Sequence, residues 1–297
     1  MPPAQDTVEH FFTVDVEEYF QVTAFEGIVE RSDWERRPSR VERSVDELLE
    51  MLERHGAKGT FFTLGWIGRS HPALVRRIAE AGHEVASHGY WHYRVSTLDR
   101  EGFREEVRHS KAVLEDCTGQ RVEGYRAPSF SIRPGAEWAF DVLLEEGYRY
   151  DSSLFPIRRP DYGYPAAPTR PHLIRRAGGE LLELPLATTT IGGMRLPAAG
   201  GGYLRQLPFG LIRRAFREHG ERGLPGMFYI HPWEIDVDQP RLPVSWLTRL
   251  RHYGGLARTR PRLERLLGEF RFTSIARRLA ADAQRSGWNP GAVALPA

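Results

Sequence analysis

The chain has 297 residues, enough to bury a substantial core as one large α/β domain or two smaller ones. Hydrophobic residues make up 41% and charged residues 27%, as in ordinary soluble globular proteins. Lys and Arg (41) against Asp and Glu (39) leave a net charge of +2, which predicts neither nucleic-acid nor membrane binding, and the lone Cys117 excludes an intramolecular disulfide or a cysteine-based zinc site. Paired arginines such as Arg76-Arg77 and Arg213-Arg214 are scattered and read as a solvated surface. The opening MPPAQDTVEH has neither the basic nor the apolar region of a signal peptide, and no apolar run is long enough to span a membrane. A cytoplasmic location is therefore expected.

In chain order, HFFTVDVEEYF (residues 10–20) reads as a buried strand ending in Asp15, Glu17 and Glu18. Side chains alternate along a strand, so Asp15 and Glu17 share a side roughly 7 Å apart and Glu18 points the other way. SVDELLEMLERHG reads as a helix, with Ser44 and Glu47 spaced as a capping box and Gly56 as a stop. The strand GTFFTLG, the helix PALVRRIAEAG and the strand HEVAS follow. A helix over residues 100–119 then precedes the strand VEGYRAP, and the helix PGAEWAFDVLLEEG precedes YRYDSS. Residues 156–171, with five prolines and two tyrosines, read as a long loop. After the strand ELLELPL, the glycine-rich 192–202 reads as an irregular connection or a lid. A helix over about 209–219 and the strand GMFYIH come next, and the tail reads as helical, with Leu263, Leu266 and Leu267 on an apolar spacing.

Repeated strand–helix units argue for parallel strands, as a barrel or a doubly wound sheet, with the chemistry at the C-terminal ends of the strands. Asp15, His88, Arg126, Asp151 and His231 each close a different predicted strand. A barrel would bring all five to one rim, so a barrel is expected.

These residue types suggest a metal-assisted hydrolysis. His88 and His92, four apart, would lie on one face of a helical turn and could clasp a cation. Glu17 would complete a two-His-one-carboxylate set suited to zinc, iron or cobalt, leaving Asp15 to take a proton from water. Arg126, in a turn stiffened by Pro128, could hold Asp15 ionised, and His231 could protonate a leaving amine. Trp91 and Trp233 could wall a sugar ring. Asp151 could orient a histidine or simply form an Asp-Ser turn. Each has a plainer reading as well: a solvated strand end, a surface arginine, a core tryptophan. There is no G-x-S-x-G elbow, no phosphate loop, and no G-x-G-x-x-G between a strand and a helix.

In this order, D-x-E after strand one, H-x-x-x-H after strand three, R-x-P after strand four, an Asp-Ser turn and a late strand ending in His resemble the polysaccharide deacetylases with NodB homology, carbohydrate esterase family 4. DVEEYFQV, SHGYWH, YRAPSFS, YDSSLFP, GGGYLRQLP, HPWEID and FRFT resemble more narrowly its subfamily linked to exopolysaccharide loci of the exosortase/PEP-CTERM type. The resemblance implies a single-domain distorted (β/α)7 barrel over 1–235 with a helical extension over 236–297. It further implies an N-deacetylase acting on an N-acetylated glycan with a divalent metal, zinc first and cobalt, nickel or iron next. By motif, Asp15 corresponds to the base, His88 and His92 to metal ligands, Arg126 to the base-orienting residue and His231 to the acid; Glu17 rather than Glu18 as the third ligand rests on the strand alternation alone, and a backbone N–H near Ser129 is expected to face the oxyanion. One departure stands out: Val16 follows Asp15 where most members have a second aspartate. The D-x-acid spacing also occurs in the branch with cyclic-amide hydrolases related to allantoinase, which leaves the substrate open. A non-catalytic glycan-binding module is the alternative outside enzymes.

Overall fold

The computed structural model describes residues 8–159 and 162–284 and the short strand Ala292–Val293. Residues 1–7, which carry most of the opening read for a signal peptide, and Pro160 and Asp161 of the long loop lie outside the described residues. The strands are β1 (Glu9–Val16), β2 (Thr60–Thr63), β3 (Glu84–Ser87), β4 (Gly124–Tyr125), β5 (Tyr150–Asp151), β6 (His172–Arg176), β7 (Gly179–Glu183), β8 (Thr188–Ile191), β9 (Met194–Pro197), β10 (Met227–Ile230), β11 (Arg271–Thr273) and β12 (Ala292–Val293). The helices are α1 (Val41–Arg54), α2 (Gly65–Ser70), α3 (Pro72–Glu80), α4 (Arg100–Thr118), α5 (Trp138–Glu145), α6 (Gly201–Gln206), α7 (Phe209–Glu221), α8 (Trp246–Tyr253), α9 (Thr259–Glu269) and α10 (Ile275–Gln284).

Seven strands run β10-β1-β2-β3-β4-β5-β7, each parallel to its neighbour. No ladder joins β7 to β10. The chain leaving β7 closes the gap with one bond, from the Ala187 N–H to the Met227 carbonyl at 3.2 Å. This is the expected distorted (β/α)7 barrel. β6 folds back on the outside of β7 as an antiparallel hairpin and carries β12 on its far side.

β1 sets the geometry. Phe12, Val14 and Val16 are buried on one side of the strand, while Thr13 and Asp15, on the other, turn into the barrel and meet Arg126. A strand covered on both faces needs this near-continuous burial.

Several expectations are corrected. Ser44 and Glu47 do not cap α1, which starts three residues earlier and buries Ser44. Glu18 serves there instead, accepting the Arg40 N–H at 3.1 Å and the Val41 N–H at 3.3 Å. A buried carboxylate at a helix N-terminus satisfies orphan donors and opposes the positive end of the macrodipole, which a local S-x-x-E pattern cannot outcompete. Residues 192–202 are more regular than an irregular connection. Gly192 and Gly193, both at positive φ, turn the β8–β9 hairpin, and the run then enters α6. The tail is not only helical, because β11 pairs with β1 from Glu9 to Phe11 and so joins the barrel sheet. The described residues of 156–171 form a loop as expected, pinned where Arg195 donates to the carbonyls of Pro156 (2.9 Å) and Pro165 (3.2 Å). Among the described residues, no helix is long and apolar enough to cross a membrane.

Candidate metal centre and active site

At the C-terminal rim of the barrel, a cleft of about 660 Å³ is lined by Asp15, Glu17, His88, His92, Ser129, His231 and Trp233 among others. These seven arrive from the ends of four strands, β1, β3, β4 and β10, or from the loops after them. The alternation along β1 holds: Asp15 and Glu17 face the cleft, while Glu18 points back to cap α1.

His88 and His92 converge, though not through a helical turn. Residues 88–92 form a bend, with Gly89 at φ 76° and His92 itself at φ 56°. The bend is held by the Glu106 carboxylate, which accepts the Tyr90 and Trp91 N–H groups at 3.0 Å each. Nothing in local spacing flags Glu106, since it comes from α4. The non-glycine residues at positive φ among the described residues are His92, Ser129 and Phe130. Such conformations cost about 1–3 kcal/mol each and collect at functional sites.

One ligand atom from each of Glu17, His88 and His92 lies within 4.8 Å of the others, and all three residues are buried. Their neighbours select which atoms are presented. His88 donates its Nδ1–H to the Arg126 carbonyl at 2.8 Å, leaving Nε2 with a free lone pair. Glu17 Oε1 accepts the Trp233 indole N–H at 3.1 Å, leaving Oε2, which has no hydrogen-bond partner. Oε2 sits 2.9 Å from His92 Nε2. A buried carboxylate oxygen without a donor, facing two imidazoles, is costly unless a cation lies among them. Burial lowers the His88 pKa to about 4, so its imidazole is the neutral, ligating form at pH 7. Burial would raise Glu17, but the nearby His92, His231 and His88 outweigh it and hold the carboxyl below its ordinary range. The three residues fit a divalent metal.

Asp15 is gripped from inside the barrel. Arg126, fully buried, donates Nη1 to Asp15 Oδ1 at 2.6 Å and to Thr13 Oγ1 at 2.8 Å. Its other donors reach the Ser152 carbonyl (3.1 Å) and Ser152 Oγ (2.8 Å), and the Phe62 ring lies 4.1 Å from the guanidinium carbon. Asp151 neither orients a histidine nor enters the cleft. It accepts the Ser153 N–H and hydroxyl, shaping the turn that carries Ser152. Burial raises Asp151, and burial with the Asp151 charge pushes Glu183 well above the carboxylate range, so this pair shares a proton in the barrel interior.

Across the cleft, His231 Nε2 stands 3.6 Å from Glu17 Oε1 and 4.0 Å from Asp15 Oδ2. Its Nδ1 and its backbone N–H both lie 3.1 Å from Glu234 Oε2. The Nδ1–H therefore donates to Glu234 and Nε2 is turned toward the site. Glu234 is in turn paired with the buried Arg205, whose other donors reach the carbonyls of Arg251, His252 and Gly254 at the end of α8. Gly201 makes room for this carboxylate, because a Cβ there would stand 2.1 Å from Glu234 Oε2. Sequence reading missed Glu234 and Arg205. The spacing H-x-x-E in HPWE was the available signal for Glu234, and Arg205 lies in the GGGYLRQLP motif, from which no role was drawn.

The two tryptophans are placed differently. Trp91 does not line the cleft; it packs against Trp34, ring centroids 5.9 Å apart. Trp233 reaches the cleft, but its ring is stacked on His252 (4.1 Å) and His231 (5.1 Å), and its N–H is spent on Glu17. Its N–H supports the Glu17 carboxylate, and its ring lines the cleft together with Phe130, Tyr162 and Tyr229. Ser129 does line the cleft, its Oγ 2.5 Å from Thr23 Oγ1.

Residues 34–140 match the polysaccharide deacetylase family model, and residues 152–280 match a domain of unknown function, DUF3473. The first match contains His88, His92 and Arg126; the second contains His231 and Glu234. A peptidoglycan deacetylase of Helicobacter pylori is 26% identical over 157 residues, 48% of this chain and 53% of that protein. A chitooligosaccharide deacetylase of Rhizobium leguminosarum bv. trifolii is 36% identical over 98 residues, 33% of this chain and 42% of that protein. The chain thus spans about half or less of the curated relatives it matches. Among solved structures, a putative polysaccharide deacetylase from Mycobacterium smegmatis aligns with TM-score 0.64 at 21% identity, over 100% of this chain and 97% of that one. Puue allantoinase aligns with TM-score 0.61 at 17% identity, over 97% and 94%. These two likenesses concern the fold. Residues 34–140 are thus similar to the polysaccharide deacetylases and residues 152–280 to DUF3473, and the solved structures of similar fold agree with the barrel.

Proposed function

We propose that the protein is a metal-dependent hydrolase that removes N-acetyl groups from an amino sugar of a bacterial exopolysaccharide or its precursor. The observation that carries this reading is the convergence of Glu17, His88 and His92 on one point, between an arginine-held Asp15 and a His231 whose Nε2 faces inward. Glu17 Oε2, His88 Nε2 and His92 Nε2 would hold the metal, with zinc the first candidate for this donor set. When bound, the ion supplies Lewis-acid polarisation of the acetamide carbonyl and of water.

The chain's own residues do the rest. Asp15, fixed in direction by Arg126, accepts the proton of the attacking water at Oδ2. His231, its Nδ1–H held by Glu234, takes up at Nε2 the proton that Asp15 has accepted 4.0 Å away and delivers it to the departing sugar amine, and acetate leaves. A backbone N–H near Ser129, on the cleft wall, would meet the oxyanion. Phe130, Tyr162 and Tyr229 provide the faces for a sugar ring. The named activities of the relatives and the narrow exopolysaccharide motifs support a glycan substrate.

The test is acetate release from N-acetylglucosamine oligomers, run beside ring opening of a cyclic imide. His88→Ala should lose both bound metal and hydrolysis, and Asp15→Asn should keep metal and lose turnover. Full activity of His88→Ala with no bound metal refutes the ligand assignment. Cyclic-imide hydrolysis without acetate release transfers the site to the allantoinase-like chemistry, and chelator-insensitive glycan binding without turnover identifies a binding module.

A further inference from the structure

The net charge of +2 conceals a strongly asymmetric segment. Residues 239–263 hold six arginines and no aspartate or glutamate. Arg260 is paired with Glu47, and Arg262 donates to the Leu204 and Leu207 carbonyls. Arg241, Arg249, Arg251 and Arg258 form no ion pair among the described residues. In the middle of this stretch lies α8, whose Trp246 is 76% exposed, Leu250 59% and Leu247 42%, with Val237 nearby in the chain at 43%. Trp246, Leu247 and Leu250 stand at i, i+1 and i+4, so they share one side of the helix. The opposite side faces inward: Thr248 and Arg251 line the cleft and His252 stacks on Trp233. Arg249 stands on α8 itself, and Arg241 lies over the Tyr253 ring at 4.4 Å, with Nη2 3.5 Å from the Val237 carbonyl.

We propose that α8 is an interfacial docking helix that seats the rim of the cleft on an anionic lipid bilayer. An exposed Trp and leucines flanked by unpaired arginines, on a helix too short and polar to span, is the pattern that lies in the headgroup region. Trp prefers this boundary, and arginines are drawn to anionic headgroups while their stems cover apolar surface. The charge argues against a second copy of the chain, since a twofold contact would set the same unpaired arginines against each other. The apolar side chains are also far fewer than the roughly 20–30 residues a side of a stable protein pair. A soluble glycan fits less well, because Trp246 stands outside the cleft lining among aliphatic neighbours that offer a sugar no hydrogen bonds. Docked in this way, the cleft mouth lies beside the membrane surface, within reach of a glycan held there by a lipid.

The experiment is co-sedimentation of the full chain with vesicles of pure phosphatidylcholine and of equimolar phosphatidylcholine and phosphatidylglycerol. Binding is expected to the anionic vesicles alone, to weaken with added salt, and to drop roughly tenfold or more in Trp246→Ser/Leu250→Ser and in Arg241→Gln/Arg249→Gln. None of these residues belongs to the catalytic set, so acetate release from a soluble oligomer should be unchanged in both variants. Sedimentation needs no turnover, so the docking and the deacetylase assignment fail or hold separately. Absence of binding to the anionic vesicles, or equal binding by the wild type and both variants, overturns the proposal. So does a concentration-dependent dimer that the Trp246 variant abolishes, which would give the face to a second copy. A glycan whose affinity for the wild type is lost in that variant would give it to a carbohydrate.

Discussion

Trp233→Phe isolates the support that the structure assigns to this side chain. The substitution keeps an aromatic ring beside His252 but deletes the indole N–H that meets Glu17 Oε1 at 3.1 Å. A hydrogen bond to a charged group contributes about 1.5–3 kcal/mol. At 1.4 kcal/mol per decade, its loss corresponds to roughly 10–150-fold in an equilibrium constant. Removing an outer partner of a ligand lowers metal affinity by about 10–100-fold in general, so the two routes agree. Freed of this donor, Glu17 can rotate and present either oxygen, and the carboxylate loses the orientation that leaves Oε2 for the ion. The assay is zinc affinity by competition with a chelating indicator, with kcat and KM for a chitooligosaccharide measured at saturating zinc. The expected result is a weakened zinc Kd with KM nearly unchanged. An unchanged Kd together with a raised KM would refute the reasoning and make Trp233 a sugar-binding wall.

Arg126→Met should destabilise the protein by about 3–5 kcal/mol in urea unfolding, because it leaves Asp15 buried without its charge partner; a loss below about 1 kcal/mol would remove the buried pair as a structural element. Glu183→Gln tests the shared proton. Both carboxyls of the Asp151–Glu183 pair are raised in the folded state, so their contribution is full below the unfolded carboxylate pKa and is lost as pH rises through the folded values. The variant's urea midpoint should therefore fall less than that of the wild type between about pH 5 and about pH 9, and parallel slopes would contradict the shared proton.

The barrel and most of its rim could be read from the chain because the signals are local and periodic. Alternation along HFFTVDV assigned Asp15 and Glu17 to one side and Glu18 to the other, since a strand has a period of two and nothing in β1 interrupts it. Repeated strand–helix units required parallel strands, and parallel strands bring their C-terminal ends together. The same locality explains the failures. Ser44 and Glu47 matched a capping pattern, but a carboxylate arriving from β1 held the true start of α1. His88 and His92 meet through a bend held by Glu106 from α4, a partner no spacing rule contains.

The sequence by itself determined which residue types stand at the strand ends, and so the identity of the proposed ligands, base and acid. Only the tertiary structure decided which atoms they present. His88 turns Nε2 inward because the Arg126 carbonyl takes Nδ1; Glu17 offers Oε2 because Trp233 takes Oε1; His231 offers Nε2 because Glu234 takes Nδ1. A hydrogen bond has direction, and its partners here come from segments far apart in the chain. Residue order carries the donors and acceptors, and the fold alone sets the angles at which they meet.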